Sequence, residues 1–262
     1  MSRFAAALWA EFLKARRSKV PTVTALGFAL APIMGGLFMI ILKDPEYARS
    51  IGLIGAKAQI VAGTADWPTY LGVLAQAGAV GGIFVFGTIA IWVFGREYAD
   101  RTATDLMALP TSRPAIVAAK FVVVIAWSFA LAAMIYVLGL AIAAAIGLPG
   151  WSPGVTFDGA LSLAVTASLT IALGAPVAFV ASAGRGYLPP MGFVILMIFF
   201  SQILAAMGWG AYFPYSVPAL YSGVAGSQSS DLGIVSYLIV VLTSLAGAGA
   251  TFAWWRWADQ SG

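Results

Sequence analysis

Long apolar runs alternate with short polar breaks along this chain, and that pattern lays out most of its structure. The runs cover residues 22–42, 70–94, 121–146, 159–183, 188–207 and 232–255. Each is about twenty residues or longer, the length an α-helix needs to cross a hydrocarbon core roughly 30 Å thick. The breaks carry helix punctuation. Asp66 ahead of Pro68 reads as the N-cap of the second run and Asp158 as that of the fourth, while Pro189-Pro190 opens the fifth. Pro176 falls inside the fourth run and predicts a kink there. In the second run, Gly78-x-x-x-Gly82 is a small-residue pair that permits close helix packing. The expected fold is an all-α integral membrane protein, a single transmembrane domain over residues 1–262 with six transmembrane helices.

Three further segments have their own pattern. In residues 1–19, Phe4, Leu8, Trp9, Phe12 and Leu13 share a broad helical arc, while Arg3, Lys14 and Arg17 fall mainly on the other. That predicts an N-terminal interfacial amphipathic helix with its aromatic face in lipid. The run after it is too long for a signal-peptide core, and Lys43-Asp44-Pro45 offers no small-residue cleavage site, so it is read as a retained span. Between Lys43 and Trp67, Ile51, Ile54, Ala58 and Val61 keep helical spacing and suggest a helix on the outer surface. From Gly208 to Asp231, five aromatics and two prolines precede the first charge, which suits a segment dipping into the outer interface.

Composition narrows the function. The chain is 61% hydrophobic and 9% charged, with a mean hydropathy of +0.94, and no stretch is long and polar enough for a soluble domain. It has no Cys and no His. Their absence removes disulfides, thiol nucleophiles, the commonest metal ligand and the commonest general base, and argues against a membrane hydrolase. The net charge of +4 bears on topology rather than on nucleic acid. With the N-terminus inside, eleven of the fourteen Lys and Arg fall inside, against Lys43, Arg49 and Lys57 outside. Both termini are therefore expected in the cytoplasm, the chain being multi-pass in the cell membrane of a prokaryote. The spans hold no ionisable side chain near mid-membrane, which argues against an ion-coupled carrier. No G-x-x-x-x-G-K-[ST] phosphate loop is present either, so any energy source lies on another chain.

The densest polar stretch is Phe94–Lys120. As a helix, Glu97, Arg101 and Asp105 fall at i, i+4, i+8 and would form an alternating-sign ladder. Tyr98, Thr102, Leu106 and Leu109 recur on a neighbouring face; Pro110 stops the helix, and Arg113-Pro114 opens the next. The pattern predicts a short amphipathic cytoplasmic helix in loop 95–114. It is either a solvated, salt-bridged loop or a docking element for a soluble partner.

Phe94, Glu97, Thr102, Leu106, Leu109, Pro110, Arg113 and Lys120 stand in an order and spacing with a known counterpart. The stretch resembles the cytoplasmic loop between spans two and three of ABC-2 type permeases, the membrane subunits of a class of ABC exporters. Many members carry glycine before the Thr, where this chain has Arg101. The resemblance implies a coupling helix whose contacts with a separate ABC ATPase come from Glu97, Tyr98, Arg101, Thr102, Asp105, Leu106, Leu109 and Arg113. It further implies two ATPase copies holding ATP and Mg, a second permease chain, identical or homologous, and a re-entrant exterior segment before the last span. No cofactor, metal or nucleic acid is expected on this chain, whose other partner is membrane lipid. Gln76 and Gln202 are the most polar in-span side chains, on helices that line the dimer interface in the resembled family, and are expected along the translocation path. An uncharged lining suits a hydrophobic or amphipathic cargo, such as a drug, peptide antibiotic or lipid-like molecule. The alternative is a non-transporting structural subunit of a membrane complex, or a membrane enzyme.

Overall fold

A computed structural model describes residues 3–44, 64–102, 111–223 and 232–257. The described residues are helical throughout, without strands. In order they form α1 (Arg3–Arg17), α2 (Val20–Lys43), α3 (Trp67–Ala99), α4 (Arg113–Ile146), α5 (Pro153–Ala172), α6 (Gly174–Ala183), α7 (Leu188–Ala206), α8 (Val217–Tyr221) and α9 (Ile234–Trp257), with single 3-10 turns at Gly210–Tyr212 and Pro214–Ser216. Among the described residues, six units are long and apolar enough to cross a membrane: α2, α3, α4, α5 with α6 as one bent span, α7 and α9. The outer-surface helix expected between Lys43 and Trp67 falls mostly on residues outside those described.

Several helices run past their apolar runs. The second continues to Ala99 rather than ending at Phe94, and the third starts at Arg113 rather than Phe121, each gaining more than a turn at the same end of the bundle. Arg3, Lys14, Arg16, Arg17, Lys19, Arg96, Arg101, Arg113, Lys120, Arg185 and Arg256 gather at that end, hereafter the basic end. Of the described Lys and Arg, only Lys43 lies at the other. There its ammonium donates to the carbonyls of Ile146 (2.9 Å) and Gly147 (3.3 Å), closing the free end of α4.

The caps divide into one expected and one corrected. Asp66 caps α3, its carboxylate accepting the Thr69 amide at 2.9 Å. Asp158 does not cap the fourth span. Ser152 does, its hydroxyl oxygen accepting the Val155 amide at 3.1 Å, and Asp158 stands exposed inside α5. The serine precedes Pro153, which lacks an N–H and has a φ suited to a first helical turn, so the helix starts before the apolar run does. Further along, Pro176 has no N–H to offer the carbonyl of Ala172, and the span breaks at Leu173 between α5 and α6.

α3 is the centre of the bundle. Gly78 and Gly82 are buried in it and give passage to α5: a Cβ at Gly78 would sit 2.8 Å from Leu163, and one at Gly82 3.3 Å from Thr170. The small-residue pair therefore serves contact within the chain. α9 crosses α6 as closely at Gly247, where a Cβ would run into the Pro176 backbone nitrogen. The short turns after α7 are tied inward. Tyr215 is buried, its hydroxyl donates to the Leu173 carbonyl at the break (3.1 Å), and the Ser201 and Ser216 hydroxyls donate to the Tyr215 and Ser201 carbonyls at 3.2 and 3.0 Å. α7 and α9 keep apolar outer faces, among them Leu196, Phe199, Ile203, Leu238, Leu242 and Leu245. Such faces are stable where lipid tails or another apolar surface replace water.

Candidate functional site

Four charged side chains from three helices meet at the basic end. α1 supplies Glu11 and Lys14, α3 supplies Glu97 near its last turn, and α4 supplies Lys120 two turns in. Lys120 has no solvent exposure, and its ammonium donates to Glu11 Oε2 (3.1 Å), Glu97 Oε1 (3.0 Å) and the Val93 carbonyl (2.8 Å). An ammonium has three protons, so Lys120 is fully satisfied. Lys14 Nζ donates to Glu11 Oε1 (2.8 Å) and Glu97 Oε1 (2.7 Å). Two carboxylates and two ammoniums make the quartet neutral, which is the condition under which buried charges persist. Burial disfavours the charged form of Lys14, but the carboxylates of Glu11 and Glu97 outweigh it and raise its pKa above the ordinary lysine value.

The quartet also holds the start of the loop. α3 ends at Ala99, and the chain reverses with the Arg101 amide donating to Tyr98 (3.2 Å) and the Thr102 amide to Glu97 (2.9 Å). This is a Schellman closure, with Arg101 in its left-handed position at φ 58°. The Thr102 hydroxyl then returns to Glu97 Oε2 at 2.8 Å. Glu97 therefore joins α1, α4 and the first loop residue at once.

The expected ladder needs correcting at this point. Glu97 does not pair with Arg101, because the helix that would align them stops two residues earlier and a left-handed residue turns the Arg101 side chain outward to solvent. The i, i+4 pair that forms here is Arg96 with Asp100 at 3.1 Å. Tyr98 and Arg113 lie elsewhere, at the end of α9. Tyr98 packs edge-on to Trp255 with ring centroids 6.1 Å apart, and Arg113 Nη1 donates to the Trp255 and Arg256 carbonyls, each at 3.4 Å. Asp105, Leu106 and Leu109 lie outside the described residues. Gln76 is half-buried on α3 and Gln202 exposed on α7, and among the described residues neither is hydrogen-bonded to a neighbouring helix.

Glu11, Lys14 and Lys120 were not expected as site residues. A signal for Glu11 was present: it lies at i+7 from Phe4 and i+3 from Leu8, so the only acid of α1 falls on the apolar arc. Lys120 likewise follows Ile116 at i+4 and precedes Val124 at i+4, a lone cation in a buried stripe. Lone charges on apolar arcs require a partner from another helix.

A family description, ABC-2 family transporter protein, matches residues 7–201. This interval contains all four members of the quartet. The chain is also similar to the bacitracin transport permease protein BCRB of Bacillus licheniformis, with 27% identity over 179 residues, 68% of this chain and 85% of the relative.

Proposed function

This chain belongs to the ABC-2 family of transporter proteins, and we propose that it is the permease of an ATP-driven exporter whose motor docks beneath loop 95–114. It is a transmembrane subunit of an ABC transporter. The finer reading is that two copies of a separate ABC ATPase, carrying ATP and Mg, engage the loop, and that a second permease chain completes the path, with both termini in the cytoplasm. The basic end is then the cytoplasmic end, consistent with eleven inside cations.

The observation that carries this reading is the quartet. A loop that only connects two spans needs no buried charge at its root. Here the first loop residue is bonded to Glu97, and Glu97 to two ammoniums on two other helices. Force applied to the loop would reach α1, α3 and α4 together rather than bending one helix end. The apolar face containing Leu106 and Leu109 is the expected contact with the ATPase, and Arg101 and Asp105 set its orientation. Tyr98 and Arg113 extend the linkage to α9.

The cargo is read as hydrophobic or amphipathic. The spans hold no ionisable side chain near mid-membrane, and the relative's name, bacitracin transport permease, supports the peptide-antibiotic class. Gln76 and Gln202 remain the expected path residues, the half-buried and exposed amides of α3 and α7 having no partner within the described chain.

The test separates docking from transmission. Leu106→Asp is expected to abolish co-purification of the ATPase. Lys120→Met is expected to keep the ATPase bound but to lose cargo-stimulated hydrolysis. Normal partner binding and transport in Leu106→Asp, at parental expression, would overturn the docking role.

A further inference from the structure

We propose that α1 is a binding surface for anionic phospholipid, with headgroup phosphates held by Arg16, Arg17 and Lys19. All three side chains are exposed, and none is ion-paired among the described residues. The only acid between residues 3 and 20, Glu11, is turned into the quartet and 6% exposed. The outward side of the helix is therefore purely cationic. It is also aromatic: Trp9 (65% exposed) and Phe12 lie at i and i+3 of a stripe that Arg16 completes at i+7. Indole and phenyl rings favour the headgroup boundary, and a guanidinium beside them is shaped to take a phosphate with two parallel hydrogen bonds.

Position selects the occupant. Lys19 immediately precedes α2, a membrane span beginning at Val20, so the cations sit where the chain leaves the bilayer. An acidic protein face would satisfy the same charges but not an outward Trp and Phe next to a span. The opposite side of the same helix carries Glu11 and Lys14. Lipid held on one face would thus fix the seating of the quartet on the other, and that consequence alone rests on the coupling role proposed above.

Lipid binding is read directly, with no ATPase or cargo present, so its failure is distinguishable from failure of the transport reading. The purified full chain in detergent is titrated with phosphatidylglycerol or phosphatidylcholine and bound lipid counted by native mass spectrometry. Phosphatidylglycerol is expected to bind at least about fivefold more tightly, since each cation at an anionic lipid surface contributes roughly that factor. The Arg16→Gln/Arg17→Gln/Lys19→Gln variant is expected to lose the preference, and Arg16→Lys/Arg17→Lys to keep it. Arg256→Gln, at the same end but off α1, is expected to bind like the parent. Should the triple variant not fold, Arg16→Gln and Lys19→Gln singly must each weaken the preference. Retained preference in the triple variant, or in either single variant where the triple does not fold, overturns the site. Equal loss in Arg256→Gln overturns it too, by showing a diffuse surface potential.

Discussion

Lys14 Nζ lies 2.7 Å from Glu97 Oε1, joining two residues 83 positions apart in the chain. Together with Glu11–Lys120, this contact makes α1 part of the bundle rather than a helix lying beside it. Lys14→Met is expected to lower stability by about 1–3 kcal/mol, the usual cost of losing a hydrogen bond to a charged group. Lys14→Arg, which keeps the charge, should recover most of it. Thermal unfolding in detergent measures both. A Lys14→Met chain as stable as the parent would show that the Glu11–Lys120 pair and apolar contacts hold α1 without Lys14.

Lys120 is expected to be less tolerant. Its ammonium is wholly enclosed, so Lys120→Met leaves Glu11 and Glu97 buried with a single remaining cation. Breaking one side of a buried ion network typically costs about 3–5 kcal/mol. Adding Glu97→Gln to Lys120→Met removes the uncompensated charge and should restore part of the loss. The double variant being no better than Lys120→Met would show that packing, not charge balance, sets the cost.

The six spans were legible because a transmembrane helix must be apolar along its whole length, and nothing else in a short sequence imitates that. Their ends were less so, because a helix stops at hydrogen-bonding partners and not where hydropathy changes. Ser152 shows this: one hydroxyl before a proline starts the fourth span six residues ahead of Asp158. The motif marks Glu97 as a site residue, but periodicity points only to partners along its own helix. The true partners are Lys14 and Lys120 on two other helices, and helical periodicity alone carries no information about contacts between helices. Glu11 on its apolar arc and Lys120 in its apolar stripe were the available clues, and they announce that partners exist without naming them.

The described ionic contacts outside the spans predict a broad neutral plateau. Lys14 has its pKa raised above 10.5, so its contribution is fully present below that value and lost as pH rises through the higher folded one. Asp66 is partly desolvated, yet the Thr64 hydroxyl and Thr69 amide hold its pKa below 3.8. Its contribution is present above 3.8 and lost as pH falls through the lower folded value. The chain has no His to titrate between. A fluorophore on Ala10→Cys, clean because the chain has no other thiol, should report α1 immobile from weakly acidic to moderately alkaline pH and released only beyond the ordinary lysine pKa. In Lys14→Met the alkaline release should shrink. A release centred near neutrality would contradict this assignment.

Gly247 tests the crossing of α9 over the bent span. A Cβ there would run into the Pro176 nitrogen and lie 2.7 Å from the Ala175 carbonyl carbon, both backbone atoms that cannot rotate away. Gly247→Val should therefore cost about 1–3 kcal/mol or more through overpacking. Gly249, one turn face away with open space around it, should accept valine with little effect. Equal melting temperatures for the two variants would rule out a tight crossing at Gly247.

Arg101 offers a prediction in the opposite direction. Helices ending at the far side of the bundle close on glycine, Gly147 at φ 66° and Gly208 at φ 81°, whereas at the basic end the left-handed positions belong to Arg101 at φ 58° and Arg185 at φ 53°. Any L side chain in that region is strained, by about 1–2 kcal/mol. Arginine persists there for another reason: a cation at a helix C-terminus offsets the partial negative charge of its last carbonyls, worth about 0.3–1 kcal/mol when exposed. Strain is the larger of the two terms, so Arg101→Gly should leave stability unchanged or raise it by up to about 1 kcal/mol. Arg101→Ala keeps the strain and loses the charge, and should be less stable than either. If Arg101 also orients the ATPase, Arg101→Gly will combine parental or better melting with weakened partner binding, most evident at low salt. An Arg101→Gly chain that melts well below the parent would refute the strain argument. It would mean that the guanidinium, not the turn, holds this corner of the loop.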